Sequence, residues 1–155
     1  MSYEVLLFLH VIGATVLLGT GAGIAFFMVV SNHSKDPRLI AHVAGIVVLA
    51  DTLFTATAAV FQPVTGYFLA KDAGWPLSEG WVALSLALYV IVGAFWLPVV
   101  WIQIKLRSLA TTARDTGQKL PPAYHRLYRI WFACGFPAFA AVLTIVWLML
   151  TKPTF

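Results

Sequence analysis

The sequence predicts an all-α integral membrane protein, an antiparallel four-helix bundle with both termini on the outer, periplasmic side. Three observations carry this. Of 155 residues, 61% are hydrophobic and only 10% charged, against roughly a quarter charged in a soluble domain, and mean hydropathy is +0.88. Four apolar runs, at residues 5–30, 39–69, 81–104 and 130–150, are long enough to cross the ~30 Å hydrocarbon layer at 1.5 Å per residue. Finally, Lys35, Arg38, Lys105, Arg107, Arg114, Lys119, Arg126 and Arg129 gather at one end of these runs, with only Lys71 and Lys152 at the other. Positive residues stay on the cytoplasmic side, which orients the bundle. The net charge of +4 thus sets topology and marks no nucleic-acid surface; the bilayer is the partner it implies. One domain, 1–155, is the natural count.

The first span, VLLFLHVIGATVLLGTGAGIAFFMVV, exceeds a signal-peptide core and has neither a basic lead-in nor an A-x-A-like cleavage site, so it reads as a retained helix. The connection SNHSKDPR, residues 31–38, holds a proline and a cap in Asp36 or Ser34 that starts the second helix. Gly74, Pro76 and Gly80 break the helix in the second connection, KDAGWPLSEG. The third connection, 105–129, begins by continuing the third helix until Gly117, Pro121 and Pro122 stop it. Short connections make successive helices antiparallel neighbours. Tyr3, Tyr67, Trp75 and Trp81 read as an outer aromatic belt, and Tyr124, Tyr128 and Trp131 as an inner one. The single Cys134 forms no internal disulfide.

The polar residues inside the spans carry the chemistry. With 1.5 Å per residue, His10 lies ~10 Å and Gln62 ~12 Å outward of the midplane, so the two share a level. Asp51 falls near the middle, level with Thr20 and Trp96. Asp51, Thr55, Gln62 and Gly66 form one helical stripe. Ser85, Tyr89, Gly93, Trp96 and Gln103 form a second, and His10, Gly13, Leu17 and Gly21 a third; together they line one seam. Thr15, Thr55 and Thr57 are expected to bond back to their own helix. Pro63, Pro98 and Pro137 each free a carbonyl that needs another partner. Gly19 and Gly23 make a GxxxG, read as close packing within the bundle or as a homodimer contact.

His10 and Asp51 each admit two readings. For His10 these are an interhelical hydrogen bond to Gln62, or an axial ligand to haem iron or a quinone partner, since intramembrane ionisable groups lean functional and neutral imidazole suits iron. His42 points away, and His33 and His125 lie in the basic connections, so a second histidine ligand is missing. Met149 and, just outside, Lys152 are the other candidate ligands at that level, which favours a five-coordinate or His/Met haem. Asp51 is either a proton-handling or cation-anchoring acid, or a structural carboxyl bonded to the Trp96 N–H or the Thr20 hydroxyl.

The pieces LHVIGATVLLGTGAG, VVLADTLFTATAAVFQPVTGYFLA, GWPL, WLPVVWIQIKLRSLA and RIWFACGFPAFAAVLTIVWLMLTKP resemble a family of bacterial predicted integral membrane proteins defined as a domain of unknown function. That resemblance covers nearly the whole chain and implies four helices in the bacterial inner membrane. Leu9 to Gly21, LHVIGATVLLGTG, is also similar to the histidine-bearing first helix of copper-resistance D-like proteins and of J-type protoporphyrinogen oxidases, which implies that His10 is tied to haem b. Ala25 to Ser31 lacks the basic residue of the oxidase pattern, and no intramembrane arginine offers itself to substrate carboxylates.

The expected function is therefore a small inner-membrane protein that binds haem b, or a quinone, through His10, with Gln62, Tyr89 and Met149 at the cofactor and Asp51 handling protons. It would serve electron transfer or a linked oxidation, with a redox partner or larger membrane complex. The alternative is a non-catalytic subunit or small-molecule carrier whose polar stripe only joins helices.

Overall fold

Four helices long and apolar enough to cross a membrane follow one another, with no strand among the described residues, 2–154, of the computed structural model. The first is α1 (Tyr3–His33). The second span is continuous but composite: α2 (Pro37–Ala50), a π-helical turn (Asp51–Thr55) and α3 (Ala56–Asp72). The third and fourth are α4 (Gly80–Thr116) and α5 (Pro122–Thr151).

Local chemistry sets these boundaries. Asp36 caps α2, its Oδ1 accepting the Arg38 N–H at 2.9 Å, and Pro37 takes the first helical position, where its missing N–H costs nothing. Beyond the apolar run α4 continues through the polar residues to Thr116 and ends at Gly117, whose φ of 65° is left-handed. α5 starts at Pro122, earlier than its apolar run, because hydropathy marks only the part that lipid surrounds.

Each span packs on the next. α1 lies along the second span, α2 on α4, and α4 on α5, while α5 closes back onto α1 only slightly. The antiparallel order shows at both ends. At the end with the basic connections, the Tyr124 hydroxyl lies 3.2 Å from Asn32 Oδ1; at the end with the termini, Lys152 Nζ stands 5.8 Å over the Trp81 ring. The main core belongs to the basic end, where Met28, Ile40, Val47, Leu106, Tyr124 and Trp131 are buried together. A smaller cluster of Trp81, Val82 and Leu148 sits at the terminal end. Outward-facing Phe8, Phe26, Val60, Val90 and Leu150 are largely exposed, the surface a lipid bilayer contacts.

Two sequence expectations are corrected here. Trp81, Tyr124 and Trp131 are buried inside the protein rather than standing in interfacial belts; large rings fill space between helices as readily as they sit among headgroups. The glycines of close approach are also different ones. A Cβ on Gly19 or Gly23 meets nothing within 4 Å, whereas one on Gly13 stands 3.4 Å from the Gln62 amide and one on Gly66 3.3 Å from His10 Cε1. α1 and α3 therefore meet through Gly13 and Gly66, at the level of His10.

The expected proline effect is present at Pro63. Having no N–H, Pro63 leaves the Ala59 carbonyl without its helical donor, and the Tyr89 hydroxyl of α4 donates to that carbonyl.

Candidate functional site

The polar stripe resolves into two separate groups. The first joins α1 to α3. His10 Nδ1 lies 2.7 Å from Thr65 Oγ1, and that oxygen lies 3.0 Å from Phe61 O and 3.2 Å from Gln62 O. A hydroxyl has one proton to give. Donated to a carbonyl of its own helix, it leaves Oγ1 free to accept Nδ1–H, which places the imidazole lone pair on Nε2. His10 is half-buried, and its Nε2 makes no hydrogen bond among the described residues. Gln62 donates Nε2–H to the His10 carbonyl at 3.1 Å, and its buried Oε1 has no partner among the described residues. The predicted meeting of His10 and Gln62 is present, but through the His10 backbone; the ring belongs to Thr65.

A shallow apolar groove of ≈ 360 Å³ runs beside this group between α1 and the second span, with Leu9, Gly13, Val16, Phe54, Ala58 and Phe61 among its walls. Tyr89 lies about one helical turn away, its hydroxyl engaged with Ala59 O. Met149 is exposed on α5, next to the buried Leu148, and joins neither group. Lys152 is occupied over the Trp81 ring.

The second group joins the second, third and fourth spans around Asp51, which is only 2% exposed. Trp96 Nε1–H donates to Asp51 Oδ1 at 3.3 Å. The Gln103 amide, oriented so that both its ends are matched, donates to Asp51 Oδ2 at 3.1 Å and accepts the Trp131 Nε1–H at 3.3 Å. The depth estimate thus paired Asp51 correctly with Trp96, while Gln103 stands where Thr20 was the other candidate. Asp51 opens the π-helical turn, whose Ala56 N–H reaches back to Asp51 O. Such turns are rare and frequent at functional sites. Thr15, Thr52, Thr57 and Thr144 bond back to the carbonyl four residues earlier, as threonines in helices do. Thr55, inside the π-helical turn, does not, and its buried hydroxyl has no partner among the described residues.

Thr65 and Trp131 were not singled out as site residues. Thr65 is adjacent to Gly66 and falls within the same stripe, but a helical threonine is expected to bond back to its own backbone, which hides a second role; Trp131 reads as a membrane-interface residue from its sequence position. Among the described residues no three of His, Cys, Asp and Glu come together to hold a metal ion.

Among known proteins, the family model described as "Predicted integral membrane protein (DUF2269)" matches residues 4–153. No curated protein and no solved structure matches the chain.

Proposed function

The chain belongs to that family of predicted integral membrane proteins, and we propose that it is a cofactor-binding member in which His10 holds haem b, or failing that a quinone, for electron transfer or a linked oxidation. The observation that carries this is the state of the His10 ring: oriented at Nδ1 by Thr65, with Nε2 free of any partner among the described residues. Ligating histidines characteristically donate their other ring N–H to a fixed acceptor, which sets the tautomer and the ring plane. Gly66 lets the imidazole lie against α3, and Gln62 holds the α1 backbone at that point. His10 would hold the group, and the groove beside Gly13 would offer it apolar wall. When bound, haem supplies one-electron chemistry; the protein residues orient the ligand and limit water. The chain brings no second histidine to this level and Met149 joins neither group, so His10 would be the one residue of this chain to hold the group.

For a quinone the donor inventory points to the reduced form. His10 Nε2 and Gln62 Oε1 are both acceptors without partners, and a quinol hydroxyl is a donor.

The test is the absorption spectrum of protein purified in mild detergent from cells supplied with haem. A Soret band is expected, lost in His10→Ala and altered in Thr65→Val. A wild type with no band removes haem, and a band that survives His10→Ala removes His10 as its ligand. A specific observation also favours the alternative of a non-catalytic subunit: the contacts of His10 and Gln62 already fasten α1 to α3. Co-purification of a stoichiometric larger partner without any chromophore would decide for it.

A further inference from the structure

Asp51 presents a charge problem that its hydrogen bonds alone do not solve. A carboxylate in mid-membrane is costly and is normally met by a positive partner. Here none is available. From Val5 to Val30 the only ionisable side chain of α1 is His10; α4 from Gly80 to Ile104 has only Tyr89, while its Lys105 and Arg107 are exposed, Arg107 reaching toward Gly45 and forming no ion pair with Asp51, and α5 from Ile130 to Leu150 has only Cys134. On the second span itself His42 is exposed nine residues away and Tyr67 lies near the far end. His10, level with Gln62, stands 11 residues from Asp51 along the helix, about 16 Å. The only ion pair among the described residues is Arg114 with Asp115, on the polar extension of α4.

The groups that do face Asp51 are Trp96 and Gln103 from α4 and, through Gln103, Trp131 from α5. All are neutral. On its own helix the neighbour is Thr55, one turn on at the other end of the π-helical turn, whose buried hydroxyl has no hydrogen-bond partner among the described residues. Thr55 is 7% exposed and its Oγ1 is without a partner. The π-helical turn separates it from the back-bonding that other threonines of this chain make.

We propose that Asp51 and Thr55 form an exchangeable proton site in the middle of the membrane, in which the carboxyl takes up one proton and donates its O–H to Thr55 Oγ1. The proton comes from water and returns to it, with no bond other than O–H made or broken. Bound, it removes the uncompensated charge and gives the Thr55 hydroxyl a partner; Trp96 and Gln103 keep their acceptors throughout. The site is independent of any cofactor at His10.

Infrared spectroscopy of the full protein in lipid nanodiscs tests this. The chain has six acidic residues, and Glu4, Asp36, Asp72, Glu79 and Asp115 all lie outside the apolar spans. At neutral pH a protonated-carboxyl C=O band is expected that shifts in deuterium oxide, disappears in Asp51→Asn and moves to higher frequency in Thr55→Val. A titration of the wild type should remove the band at alkaline pH and restore it on return. If the folded wild type shows no such band at neutral pH, the proposal fails. A band indifferent to Thr55→Val also overturns it, because Thr55 is then not the acceptor. A melting temperature that rises with sodium but not with choline, and loses that dependence in Asp51→Asn, would assign the charge to a bound metal cation instead. Should Asp51→Asn fail to fold, Thr55→Val and the wild-type titration still decide.

Discussion

The two ends of this bundle are held together by different means. At the end with the basic connections, Met28, Ile40 and Leu106 are fully buried and α1, α2, α4 and α5 share one core. At the end with the termini the helices separate into pairs, α1 with α3 and α4 with α5, and no comparable packing joins α3 to α4. What crosses between the pairs there is one hydrogen bond, from Tyr89 to Ala59 O. Lipid tails are as apolar as leucine, so burial from water does not drive helices together in a bilayer; close packing and hydrogen bonds do. Between the pairs, one end uses the first and the other the second. The looser end is also the one that holds His10.

The largest expected effect tests the packed end. Leu106→Ala removes a fully buried side chain from the middle of the core and should cost roughly 2–4 kcal/mol, the range for such cavities. Leu148→Ala, in the small cluster with Trp81 and Val82, should cost about half as much because fewer neighbours line the gap. Denaturant titration in mixed micelles measures both. Equal losses would break the contrast between the two ends.

Next comes the polar group between them. Gln103→Leu leaves Asp51 Oδ2 and the Trp131 Nε1–H without partners in a buried site, and a loss of roughly 1–2 kcal/mol is expected by the same titration. A neutral result would mean that Trp131 and Asp51 find other partners, and that the group does not tie α4 and α5 to the second span.

How much of this was legible in the sequence follows the same division. Periodicity, charge and turn residues located the spans, the Asp36 cap and the Gly117 stop, because each depends on neighbours along the chain. Depth along antiparallel helices brought Asp51 to Trp96. Rotation about the helix axes was not legible. It decides that Thr65 takes the His10 ring, that Gln103 reaches Asp51, and that Trp81, Tyr124 and Trp131 turn inward. It also decides which glycines meet a neighbour, and a GxxxG spacing cannot say whether another helix is present. The π-helical turn leaves no compositional mark, since it is a change of hydrogen-bond partner rather than of residue type.

Gly66 sharpens that point. Adding a Cβ there brings it to 3.3 Å from His10 Cε1, so Gly66→Ala must displace the imidazole by a few tenths of an ångström, at a cost of about 1 kcal/mol. The same change at Gly19 meets open space and should stay within about 0.5 kcal/mol. If Gly19→Ala proves the more costly, a second helix covers that face in the assembled protein. Any chromophore at His10 gives a second readout, because Gly66→Ala should shift its spectrum and Gly19→Ala should not.

The smallest effect bears on the loosest contact. Tyr89→Phe removes the donor that Ala59 O has in place of the N–H missing at Pro63, and intramembrane side-chain hydrogen bonds average only about 0.6 kcal/mol. A change that small is best read as a coupling. Pro63→Ala restores a backbone N–H four residues after Ala59, so in that background the tyrosine hydroxyl has a competitor and Tyr89→Phe should cost less. A double-mutant cycle over the two positions therefore predicts a non-zero interaction term, with the four proteins compared in one titration. Additive costs would show that Tyr89 holds α4 against α3 by its ring rather than by its hydroxyl. In that case packing reaches the terminal end too, and the two ends differ in degree and not in kind.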